Sequence, residues 1–128
     1  MDVCYAVAVW LERMGFGTLN TDIFIDQIED GINGIWVERN AGSNNNYVPV
    51  SETVVDIYFK NTQASVCIDR AVDVKNAIHR MYDTTANDIL VYSFLAIGDV
   101  EAVQRDLEYA IIYKLSVQVL HRDLTLIS

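Results

Sequence analysis

Residues 53–83 read TVVDIYFKNTQASVCIDRAVDVKNAIHRMYD, and within this stretch the hydrophobic period changes from two to about 3.6. Over residues 53–60, Val55, Ile57 and Phe59 fall on one side, and Val54, Asp56, Tyr58 and Lys60 on the other, which predicts a strand. Asn61-Thr62 then supplies a cap. Beyond it Cys67, Ala71, Val74, Ile78 and Met81 recur at spacings of 4, 3, 4 and 3, while Asp69, Arg70, Asp73, Asn76 and Arg80 fall off that stripe. The pattern predicts an amphipathic helix that covers one face of a sheet and ends near Tyr82-Asp83.

Upstream, Asp2 is a candidate N-cap for a helix over residues 3–14, stopped by Gly15 and Gly17. The run is apolar almost all round, so this helix is expected to be deeply packed or to lie at a subunit contact. The alternation of Val3, Tyr5, Val7 and Val9 leaves a strand as the competing reading. Residues 22–28 have strand composition. The turn dipeptides Asp30-Gly31 and Asn33-Gly34 follow, and a second strand from Ile35 ends at Glu38 and Arg39, which together predict a β-hairpin. Residues 40–46 are polar, glycine-bearing and without period, and read as a mobile surface loop, with the sole proline, Pro49, just after it.

Downstream, residues 88–97 are apolar on both faces, which implies a central strand. The acidic residues 98–108 read as a long loop or a short helix. The final strand has the clearest alternation in the chain. Tyr109, Ile111, Tyr113, Leu115, Val117 and Val119 face one way, and Ala110, Ile112, Lys114, Ser116, Gln118 and Leu120 the other. A strand this long can extend past its own sheet and meet a neighbour. Residues 123–128 are expected to be loosely held. The order α-β-β-β-α-β-β predicts one domain over residues 1–128. Its fold class is α+β, a two-layer sandwich in which a mostly antiparallel sheet of about five strands carries two main helices on one face.

Charge and motif narrow the function classes. The 128 residues hold 9 Lys and Arg against 18 Asp and Glu, a formal charge of −9, and both halves are acidic. Such a surface does not grip phosphates, whether of nucleic acid or of anionic lipid. The longest apolar run near the start, residues 3–11, is about half of what a membrane span needs, and it lacks a basic leader, so the chain reads as made in the cytoplasm. Cys4 and Cys67 lie in apolar surroundings with neither disulfide nor zinc spacing. His79 and His121 have no second ligand at metal spacing. Gly15-Phe16-Gly17 follows a helix and lacks its third glycine at Asn20, so it does not read as a phosphate loop. Asp73 and Lys75, with Asp69, have the residue types of a metal-dependent nuclease, but two positions on a helix are about 200° apart and do not converge. No catalytic, metal or cofactor-binding residue is assigned, no cofactor is expected, and the chain is not read as an enzyme.

The aromatics Trp10, Trp36, Tyr47, Tyr58 and Tyr113 are more than a thin sandwich needs, and such side chains concentrate at protein–protein interfaces. With the order of elements, two segments carry a resemblance: TDIFIDQIEDGINGIWVERN (residues 21–40) and SETVVDIYFKNTQASVCIDRAVDVKNAIHRMYD (residues 51–83). The sequence resembles the tail terminator proteins of tailed bacteriophages, also described as minor capsid or head–tail joining proteins. The resemblance implies a structural virion protein at the head–tail interface, assembled in the host cytoplasm. It would form a homohexameric ring between the tail tube protein and the head connector, with DNA passing through the pore without specific binding. Under that reading Asn44, Asn45, Tyr47, Asp99, Glu101, Asp106 and Tyr113 are the candidate subunit or partner contacts, and no membrane is involved. The alternative is a small non-enzymatic α+β regulatory or ligand-binding domain acting as a dimer.

Overall fold

The computed structural model describes residues 3–26, 33–44, 51–78, 82–86, 89–105 and 111–123. Helix α1 (Val3–Arg13) is followed by strands β1 (Ile23–Ile25), β2 (Gly34–Asn44) and β3 (Ser51–Asn61), helix α2 (Ala64–Ile78), and strands β4 (Tyr82–Ala86), β5 (Ile89–Arg105) and β6 (Ile111–Asp123). The described strands form one six-stranded sheet in the order β1-β2-β3-β6-β5-β4. Every pairing is antiparallel except that of the three-residue β1 with β2. The fold is the expected α+β sandwich.

Both helices lie on the same face of the sheet. From α1, Cys4, Ala6, Val7, Ala8, Trp10 and Leu11 are buried, a stripe wide enough to account for a helix apolar nearly all round. From α2, Cys67, Ala71, Val74 and Ile78 are buried. They close one core over Ile35, Val37, Val55, Ile57, Phe59, Leu115, Val117 and Val119. Each fully buried Leu, Ile or Val side chain contributes about 2 kcal/mol of transfer free energy, so alternation on β3 and β6 alone settles which face the helices take.

The helix ends follow from named residues. Gly15 adopts φ +86, the amide of Phe16 donates to the Leu11 carbonyl at 3.1 Å, and that of Gly15 to the Glu12 carbonyl at 3.0 Å. This is a Schellman cap, and its hydrophobic contact is the tilted Trp10–Phe16 ring pair, 6.4 Å between centroids. At the start of α2, Asn61 Oδ1 accepts the Gln63 amide at 2.8 Å, and the Gln63 carbonyl accepts the first helical bond from Cys67.

The structure corrects several expectations. β1 and β2 are parallel, not a hairpin. Asp26, at φ +72, turns the chain away while its amide donates to the Val37 carbonyl at 2.9 Å. Three paired residues span only about 10 Å, a distance that the connection back to β2 easily recrosses. Residues 40–44 belong to β2 instead of a loop, because antiparallel pairing with residues 51–54 satisfies their backbone, and a bulge between Arg39 and Ala41 absorbs the extra residue. Helix α2 is described as far as Ile78, and Tyr82–Ala86 is strand β4 instead of the end of the helix, drawn into the sheet by pairing with residues 89–93. Residues 98–105 are neither loop nor helix. They continue β5 along β6 through register shifts between Ile97 and Glu101 and between Ala102 and Gln104. The central position expected of residues 88–97 holds only where β4 covers β5. Met81, His79, Asp30, Gly31, Asn46, Pro49, Tyr109 and residues 124–128 lie outside the described residues.

Candidate functional site

Each side of the sheet ends in a short strand laid against a long one. β1 covers β2 only from Ile35 to Val37, so the outer edge of β2 over residues 38–44 faces no strand among the described residues. At the other side β4 covers β5 as far as Ser93, and the outer edge of β5 over residues 94–105 is likewise uncovered. Unpaired edges present backbone donors and acceptors to any strand that fits them. The register shifts within both stretches bend the strands and divide the edges into short runs.

The sheet face away from the helices has a defined composition. Strand register aligns Phe24, Trp36, Tyr58, Lys114 and Glu101 in one row across five strands. The Trp36 and Tyr58 rings are stacked, with centroids 4.6 Å apart and planes 7° from parallel. The indole Nε1–H of Trp36 donates to Glu38 Oε1 at 3.0 Å. In the next row, Ser116 Oγ donates to Asp56 Oδ1 at 2.7 Å. Asp56 and Lys60, on this face, are each only 5% exposed. Burial raises the Tyr58 phenol above its ordinary value, and the carboxylates of Asp56 and then Glu38 add to the effect.

The residues singled out from the sequence do not converge. Asn44 ends β2 opposite Ser51, which pairs with His121 on β6. Glu101, exposed, pairs with Lys114, seven positions away along β6 or about 23 Å at the strand rise. Tyr113 is half-buried against the helix-side core, on the opposite face from Lys114. Asp99 falls in the bulged stretch between Ile97 and Glu101. Asn45, Tyr47 and Asp106 lie outside the described residues. Of the aromatics that the sequence offers for an interface, Trp10 is buried in the core instead, and the union of Trp36 with Tyr58 is not legible in the sequence because the signal lies in strand register.

Asp69 and Asp73 are exposed on α2. With Arg70, Val66, Gly15 and Phe16 they line an open groove of about 450 Å³ between α2 and the turn after α1; Lys75 is not among its lining residues. Among the described residues no group of three or more His, Cys, Asp or Glu side chains is gathered as a metal would need, and no described helix is long and apolar enough to cross a membrane. Cys67 Sγ donates to the Phe59 carbonyl at 3.0 Å, and burial pushes its thiol up from the usual value. No protein-family model matches the chain, and no curated protein does either.

Proposed function

We propose that this chain is a structural assembly protein that closes a phage tail tube and joins it to the head connector as a homohexameric ring. The observation that carries this reading is the pair of edges at opposite sides of one sheet that no strand covers among the described residues, 38–44 on β2 and 94–105 on β5. Because the two edges differ, pairing one with the other joins identical copies head to tail, and head-to-tail contacts close into rings when the rotation per subunit permits. The bulges in both edges favour a partner bent in the same way over indiscriminate strand addition. The charge of −9 per subunit suits a pore through which DNA slides, since carboxylates repel phosphates. The sequence resemblance supplies the tail and head partners.

Light scattering on a sizing column, with negative-stain images of the same peak, tests the reading. Annular particles of six subunits are expected, either alone or after addition of open tail tubes. A stable two-fold dimer would favour the regulatory or ligand-binding alternative, and a chain that stays monomeric with open tubes present would overturn the ring. Deleting residues 40–46 is not a clean test of a partner loop, because residues 40–44 are paired strand and their loss shortens the β2–β3 ladder.

A further inference from the structure

We propose that the sheet face away from the helices is a docking surface for an arginine-bearing extended segment of a basic partner protein, seated on the stacked Trp36–Tyr58 pair beside Glu38 and Asp56. This inference does not depend on ring formation.

Three observations carry it. First, Phe24, Trp36 and Tyr58 stand side by side on neighbouring strands, half-buried, on the face that neither helix covers. Rigid aromatic side chains held in place before binding lose little conformational freedom on contact, which is why they dominate recognition surfaces. Second, the pair is already fixed. The rings stack at 4.6 Å, and the Glu38 carboxylate holds the Trp36 indole by its Nε1–H at 3.0 Å. Third, the charge beside the rings is negative at the β2 end: Glu38 and Asp56 form the neighbouring register pair, and both raise the Tyr58 phenol. The cations of the face adjoin Tyr58, Lys60 along β3 and Lys114 across on β6, away from β2, so the negative end of the pair is the Trp36 side, where the arginine is seated. Ring faces attract a guanidinium, and adjacent carboxylates add to that attraction. The same charge argues against the competing occupants, since a second copy brings another −9 and a nucleic acid brings phosphates.

The test uses the full chain labelled for NMR and a short extended peptide alternating arginine and threonine, with glutamate-for-arginine and lysine-for-arginine peptides beside it. The Trp36 indole resonance is expected to shift and saturate with the arginine peptide, less strongly with the lysine peptide and not with the glutamate one. The indole of Trp10, buried in the core, should stay still. Glu38→Gln keeps an acceptor for the indole and removes the charge, and should weaken binding about fivefold. Trp36→Leu should abolish saturable binding while the core methyl resonances of Val55 and Leu115 remain native. Unchanged affinity in Glu38→Gln, equal binding of the glutamate peptide, or shifts confined to Asp69 and Asp73 would each overturn the proposal. So would a Trp36 signal that moves with protein concentration alone, which would place a second copy on this face.

Discussion

The hydroxyl of Ser116 on β6 donates to Oδ1 of Asp56 on β3 at 2.7 Å, joining residues sixty positions apart on the face that no helix covers. The carboxylate is 5% exposed and also engages other groups, so this donor is one part of its compensation. Removing it leaves a buried acceptor short of a partner. Ser116→Ala is expected to lower stability by about 1–3 kcal/mol, and Ser116→Thr by less. Urea unfolding with unchanged slope checks this; equal midpoints for wild type and Ser116→Ala would show that water replaces the hydroxyl.

Two glycines after α1 should respond differently to the same added methyl group. At Gly15 a Cβ meets nothing within 4 Å, so Gly15→Ala suffers only from the left-handed φ of +86, about 1 kcal/mol. At Gly17 a Cβ would lie 2.8 Å from Asp22 Cβ, an atom fixed directly to its backbone, and 3.2 Å from Cγ1 of the buried Ile23. Gly17→Ala should therefore cost more, about 2–3 kcal/mol. Thermal melts of the two variants give the order directly.

Tyr58 should titrate above the ordinary tyrosine value of 10.0, chiefly through burial and then through Asp56 and Glu38. A phenol whose folded pKa is raised contributes stability that is present below pH 10 and is lost as pH rises through the folded value. The difference in phenolate absorbance between wild type and Tyr58→Phe isolates this titration. Glu38→Gln should move it downward, toward the ordinary value.

Cys4 and Cys67 are buried free thiols, and burial raises the thiol of Cys67. Neither should react with a thiol-exchange reagent in the native protein at mildly alkaline pH, because attack requires an exposed thiolate. Both should react in denaturant. Native reactivity at a rate independent of unfolding would mean that α2 opens locally, and peptide mapping would identify the thiol.

If the sheet edges join subunits, backbone amides of β5 over residues 94–105 that face away from β6 exchange quickly in the free chain and slow in the assembled particle. Amides of β3, paired on both sides by β2 and β6, should change little. Protection gained instead on α2 would move the subunit contact to the helix side.

Much of the fold was legible because a side chain's periodic position is a local property. Alternation identified β3 and β6 and the faces they bury, down to Val55, Ile57 and Phe59 against Leu115, Val117 and Val119. The stripe from Cys67 to Ile78 identified the inner face of α2, and Gly15 marked the end of α1. The misreadings all concern partners. Residues 40–44 and 98–105 look like loops by composition, yet each lies beside a strand that takes up its backbone hydrogen bonds, and that outweighs their weak intrinsic preference.

The sequence by itself determined the fold class, the core-facing residues and the acidic surface, since these depend on composition and on periods of two and 3.6 within short segments. Only the tertiary structure decided that β1 runs parallel to β2, that among the described residues no strand covers β2 beyond Val37 or β5 beyond Ser93, and that Phe24, Trp36 and Tyr58 form one row. Direction, register and neighbour are set by pairing energies between segments distant along the chain. A shift of one residue would turn Trp36 from the open face into the core, and no local pattern around Trp36 carries that information.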